Sequence, residues 1–242
     1  MHYTLFLAVL LCTGLLTAQR AAIDVAVAGG LTYRARSTPD RADRNLTSIR
    51  NDRETTVLNG YAGVHYALSV GPKTFLRTGL RLTGFGSATD VSTLRWGSQH
   101  GGGGGFDPTI DPGDPNAPTR RRTDHFFADV PLLLRRTLGG GVGWTPYVET
   151  GLLPGIYLTT RTLLENETEK KVTYRDDTED GMRRLHLGGA LALGLSRSLG
   201  ERYVLFVQPV FRYQLTALAP ARVRERPFSG SLEAGVRRAL RR

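Results

Sequence analysis

The chain predicts an all-β fold: an eight-stranded up-and-down antiparallel transmembrane β-barrel following an N-terminal signal peptide. Three observations lead there. About eight segments alternate apolar and non-apolar residues with period two. The connections between them alternate strictly between short and long. One face of the strands is rich in small residues dotted with isolated charges, and the opposite face is rich in Leu, Val, Ile and Phe.

The chain starts MHYTLFLAVLLCTGLLTAQR, an apolar run from Leu5 to Leu16 that ends in small residues. It reads as a secretory signal spanning 1–18, with a basic n-region replaced by His2. It is too short for a spanning helix, and no later run is long enough. The only cysteine, Cys12, lies within it, so the exported chain of 19–242 would hold together by sheet hydrogen bonds and packing rather than disulfides.

The strands follow in order: IDVAVAGGLTYR (23–34), TVLNGYAGVHYALSV (56–70), TFLRTGLRLTGFG (74–86) and HFFADVPLLLRRTL (125–138). TPYVETGLLPGIYLTTR (145–161), RLHLGGALALGLSRS (184–198), YVLFVQPVFRYQLTAL (203–218) and FSGSLEAGVRRAL (228–240) complete the set. Short connections fall at 71–73, 139–144 and 200–202, and long ones at 35–55, 87–124, 162–183 and 219–227. Tight turns at one end and long loops at the other, with an even strand number, is the layout of membrane barrels. Prolines 131, 154 and 209 stand against it, because proline removes a donor from the ladder.

A soluble barrel or sandwich would need long, hydrated side chains on its solvent face. Here the less apolar face carries Ala26, Ala28, Gly63, Gly151, Gly188, Ala192 and Gly235, which suits a narrow interior. Set among them is the expected charge network of the lumen: Arg77, Arg81, Asp129, Arg135, Glu149, Arg212, Glu233 and Arg237. All five of these arginines are expected to pair with Asp129, Glu149 and Glu233. Val25, Val27, Leu80, Leu82, Leu132, Leu134, Ile156, Leu191 and Phe211 would face lipid. Tyr33, Tyr66, Tyr147, Tyr157, Tyr203, Tyr213 and Trp144, mostly near strand ends, read as interfacial aromatic belts.

The formal charge is +10 and the isoelectric point about 10.2, so anionic partners are expected. The charge is spread without a patch or motif for nucleic acid, which excludes nucleic acid as the expected partner. All but three of the 32 cationic residues are Arg, whose planar fork suits phosphate. Arg34, Arg36, Arg41, Arg44, Arg50 and Arg53 gather at the first long loop and Arg120, Arg121 and Arg122 close the second. Of these, Arg34, Arg36, Arg120, Arg121 and Arg122 are the candidate contacts to lipopolysaccharide phosphate.

With the strands placed, DVPLLLRRTL (129–138) and PYVETGLLPGIYL (146–158), then GGALALGLS (188–196) and FVQPVFRYQLTAL (206–218), resemble the small outer-membrane β-barrel domain of Bacteroidota, the PorT-like group. The resemblance implies an outer-membrane location and no common activity. Such barrels usually end on an aromatic residue, whereas this chain ends GVRRALRR.

Tests for chemistry lead nowhere specific. GGGGGFDPTIDPGDPN (101–116) lacks the Gly-Lys-Ser/Thr of a phosphate loop. Its Asp107, Asp111, Asp114 and Asn116 do not have calcium-loop spacing. His65 and His186 are expected in the lumen, and His100 and His125 at the second long loop, each as a hydrogen-bonded or solvated histidine. No catalytic residue, metal or cofactor is assigned. The expectation is a non-enzymatic envelope module that meets outer-membrane lipid, lipopolysaccharide and an envelope or secretion protein. A small passive pore and a lipid-modifying enzyme are the alternatives.

Overall fold

The computed structural model describes residues 21–38, 48, 51, 54–90, 120–139, 143–165, 170–175, 181–219 and 223–240. The signal segment, Cys12, His100, Arg41, Arg44, Arg50, Arg53 and the 101–116 stretch lie outside these residues.

Eleven strand segments build one antiparallel ring. They are β1 (Ala21–Ser37), β2 (Glu54–Thr55), β3 (Val57–Gly71), β4 (Thr74–Asp90), β5 (Arg120–Asp129), β6 (Leu132–Thr137), β7 (Trp144–Glu165), β8 (Lys170–Arg175), β9 (Leu185–Leu199), β10 (Tyr203–Gln214) and β11 (Arg224–Leu240). Segments β5 and β6 are one wall strand interrupted at Val130 and Pro131, both pairing with β4 and β7. The ring runs β1-β3-β4-β5/β6-β7-β9-β10-β11 and closes where β1 pairs with β11 from Ala21↔Leu240 to Ser37↔Arg224. Eight wall strands therefore form a closed ring, the arrangement that lets wall amides pair with one another in a solvent that offers no hydrogen bonds.

Most strands run further than the sequence pattern indicates; β10 is the exception, ending at Gln214 where the pattern runs to 218. Residues 35–37, 87–90, 120–124, 162–165 and 224–227, expected in long loops, continue β1, β4, β5, β7 and β11, and 170–175 returns along β7 as the hairpin strand β8. Beyond the lipid a strand no longer needs an apolar face, so the period-two signal ends before the ladder does.

The three prolines sit where ladders are interrupted. Pro131 falls in the break between β5 and β6, and Val130 N donates across that break to Pro154 O at 2.8 Å. Pro209 lies where the β9–β10 register passes from Val207↔Leu195 to Val210↔Ala192. At such positions the missing N–H is not required.

Parity divides the wall cleanly. Val25, Val27, Leu31, Val64, Leu80, Leu82, Leu132, Leu134, Ile156, Leu191, Leu193, Phe211 and Leu232 are exposed on the outside, although all are large and apolar. Tyr66, Trp144 and Tyr203 flank this band at the turn end, and Tyr33, Tyr213 and Phe228 at the loop end. Tyr147 and Tyr157 do not join either girdle. They share parity with Glu149 and are buried inside, so their assignment to the belts is corrected.

Small residues inside make room for these rings. A Cβ on Gly194 would run into the Tyr147 ring, and one on Gly235 into Phe206. Gly79 is a stricter case: its φ is +154°, and a Cβ there would strike the Val64 carbonyl oxygen and His65 Cα. Gly79→Ala is expected to cost about 1–3 kcal/mol in urea unfolding of the barrel in detergent micelles. Gly29→Ala, where nothing lies within 4 Å, is expected to stay within about 0.5 kcal/mol of the parent. Equal losses at the two positions would contradict this account.

Candidate functional site

The lumen is filled from the turn end to the loop end by side chains of inward parity. Nearest the turns, Asp24 on β1 accepts two hydrogen bonds from Arg237 on β11, at 2.7 and 2.9 Å, and its Oδ2 lies 3.2 Å from Arg77 Nε. The register Asp24↔Arg237 makes the first pair cross-strand neighbours.

Arg77 is the hub of the middle layer and is fully buried. Its Nη1 reaches Glu233 at 2.8 Å and Glu149 at 3.1 Å, and its Nη2 lies 2.9 Å from His65 Nδ1. Gln208 Nε2 bridges the same two carboxylates at 3.1 Å each, Arg135 Nε donates to Glu149 at 2.7 Å, and Tyr61 donates to Glu233. Arg135 also lies over the rings of Tyr147 and Phe206, 4.1 and 4.8 Å from their centroids. These groups come from six different wall strands, so the network ties opposite sides of the barrel together.

Above it, Asp129 accepts from Arg81 at 3.1 Å and from Thr83 at 2.7 Å, and its other oxygen lies 3.2 Å from His186 Nε2. Arg212 stands apart. It is buried between the rings of Tyr61 and Phe85, 4.4 and 4.6 Å away, donates to Ser229 at 3.1 Å, and pairs with no carboxylate among the described residues. Among the described residues five lumen arginines face four carboxylates, and Arg212 is the surplus cation. Its expected acid partner is thus corrected to an aromatic clamp, which attracts a cation through the ring faces. Arg237 likewise pairs with Asp24 rather than with Asp129, Glu149 or Glu233.

An apolar cap closes the loop end of this column. Phe85, Phe127, Tyr157 and Leu218 are buried together with Met182 against them. Leu218 is held across the mouth by backbone bonds, Arg183 N to its carbonyl at 2.8 Å and its own N–H to Glu225 O at 3.0 Å.

The candidate lipopolysaccharide contacts divide. Arg34 and Arg36 turn inward at the rim and clamp Glu54 and Glu225 with four contacts of 2.9–3.0 Å. The cause is parity again: they follow Thr32 on the lumen side of β1. Arg122 donates to Asp124 at 3.0 Å and to Leu58 O at 2.8 Å, and Arg161 donates to the same Asp124 at 2.6 Å. Arg120 and Arg121 are exposed.

Asp24, Gln208 and Tyr61 are lumen residues that the sequence pattern does not single out, and Tyr147 joins them in place of the belt. Asp24 had a usable signal, since it alternates with Ala22 and Ala26 on the small-residue face.

No family model matches this chain, and no curated protein matches it. Among solved structures it is similar to Neisserial surface protein A, with 10% identity, 90% of this chain and 97% of that one covered, and a TM-score of 0.45. The outer membrane protein OprG from Pseudomonas aeruginosa gives 11% identity, 92% and 97% coverage and a TM-score of 0.42. The outer membrane protease OmpT from Escherichia coli gives 7%, 93% and 98%, with a TM-score of 0.42.

Two predictions follow from the charges. Removing the Glu149 carboxylate leaves Arg135 buried without an acid, so Glu149→Gln is expected to lose roughly 3–5 kcal/mol in urea unfolding; a loss under about 1 kcal/mol would show the pair to be solvated. The second concerns Glu225, which lies beyond the apolar band and the Tyr33–Phe228 girdle. Burial raises its pKa, but Arg34 and Arg36 outweigh this and hold it below the ordinary value of 4.5. A lowered folded pKa gives stability that is present above the unfolded value and lost as pH falls through the folded one. The stability gap between the parent and Glu225→Gln should therefore be full at neutral pH and close below about 4.5; a gap that stays constant on acidification would refute the clamp.

The apolar outer band between two aromatic girdles, the charged lumen and the closed eight-strand ring together give this chain the fold of an outer-membrane β-barrel.

Proposed function

We propose that this protein is a non-enzymatic structural or interaction module of the cell envelope, an outer-membrane barrel whose lumen is plugged by its own side chains. The observation that carries the reading is the cross-lumen network centred on Arg77, which joins Asp24, Glu149 and Glu233 from three other strands beneath the cap at Leu218. A column so filled is suited to holding a wall rigid rather than to passing solutes.

Interaction would fall to the loop end. The β7–β8 hairpin carries exposed Val172 and Tyr174 beyond the wall, a surface suited to an envelope or secretion partner. Exposed Arg120 and Arg121 at the same end are suited to lipopolysaccharide phosphate. The finer kinship, with the PorT-like small barrels of Bacteroidota, is supported by the strand motifs at 129–138 and 146–158.

The test is electrical. The purified barrel in a planar lipid bilayer is expected to give no stable single-channel conductance. Steady open conductance from the parent protein would sink the plugged-module reading in favour of the pore.

A further inference from the structure

The outer wall carries a shallow, open groove of about 560 Å3 across β1, β9, β10 and β11. Its floor is Gly29, Gly230 and Pro209, and its walls are Leu31, Phe211 and Leu232. The register explains the dent: Gly230 stands in one row between Leu31 and Phe211, and Gly29 stands beside Leu232 in the next. A Cβ at Gly29 or Gly230 would meet nothing within 4 Å, so the space beyond both is open. The groove lies in the band that the fold turns toward hydrocarbon.

Going up β11 from Gly230, the outward positions are Phe228, Arg226 and Arg224. Phe228 contacts Tyr33 and Phe211, with centroids 5.4 and 6.3 Å apart, and forms the aromatic girdle above the groove. Arg226 comes next. Its Nε is buried and, among the described residues, has no hydrogen-bond partner. Four other arginines at this rim are paired: Arg34 and Arg36 hold Glu54 and Glu225, and Arg122 and Arg161 hold Asp124. Arg226 lies four positions from Gly230, roughly 13 Å along the strand, or about 10 Å in depth at the usual barrel tilt. That is close to half of an apolar band about 25 Å tall, the distance from a headgroup to the inner part of its own chain.

We propose that this groove with Arg226 is a binding site for lipid A, one acyl chain lying over Gly29 and Gly230 and a phosphate accepting hydrogen bonds from Arg226. A guanidinium whose Nε has no partner among the described residues, standing above an apolar slot, complements an anionic headgroup on a chain, and the outer leaflet at the loop end supplies that lipid. The inference rests on the outer-membrane reading proposed above, with the loop end turned outward as in membrane barrels, and deepens it by naming the lipid and its seat.

Native mass spectrometry of the full barrel in detergent micelles, titrated with lipid A, with dephosphorylated lipid A and with phosphatidylglycerol, tests it. The parent should retain one lipid A and prefer it to both others. Arg226→Gln should weaken lipid A roughly tenfold and abolish the preference over the dephosphorylated form, as expected for loss of a charge-assisted contact. Gly230→Leu, which fills open space, should weaken both forms of lipid A. Each variant is first checked for the gel shift on boiling that marks a folded barrel. Lipid A retained by both variants as by the parent, or phosphatidylglycerol bound as tightly as lipid A, would overturn the proposal. So would a parent dimer that Gly230→Leu dissociates, since the occupant would then be a second copy. Failure of the parent itself to show the gel shift would instead remove the membrane-barrel reading on which the site rests.

Discussion

Guanidinium–carboxylate pairing inside a narrow ring is the interaction on which the rest of this structure depends. A charge withdrawn from water is costly unless an opposite charge and further hydrogen bonds compensate it. Arg77 meets that condition by contacting Asp24, Glu149 and Glu233 together, each from a different strand. The arrangement fixes which strands can face each other across the lumen, because any other register would leave a buried ion alone. Small residues around it follow from the same constraint: Gly194 and Gly235 yield the space that Tyr147 and Phe206 need to lie beside Arg135.

The surplus cation shows a second way of meeting the cost. Arg212 has ring faces of Tyr61 and Phe85 where the others have carboxylates, together with the hydroxyl of Ser229. The lumen thereby keeps a net positive charge next to its apolar cap.

Much of this was legible because a strand's period of two assigns faces without reference to anything distant. The outward Leu and Val residues, the inward Arg77, Arg81 and Arg135, and the strand order with its alternating short and long connections can all be read along the chain. What the alternation could not supply was partners. Asp24 joins Arg237 across the seam between the first and last strands, a separation of 213 residues, and Gln208 enters the network as a neutral residue that no charge pattern marks. The aromatic belts failed differently: Tyr147 and Tyr157 were assigned by their nearness to strand ends, whereas parity, the stronger constraint, puts them inside. The rim arginines were grouped by nearness in sequence, and Arg34 and Arg36 turned out to serve the clamp at Glu54 and Glu225.

The seam has a further meaning for how the chain reaches this state. The β1–β11 ladder, from Ala21↔Leu240 to Ser37↔Arg224, joins the two ends of the barrel sequence. Until it forms, the sheet has two open edges whose amides hydrocarbon cannot satisfy. Closure therefore waits for the last strand to emerge, and entry into the bilayer is tied to that event rather than to the folding of any one hairpin. Pairing of the first wall strand with the last is thus the condition under which the whole sheet can lie in hydrocarbon at all.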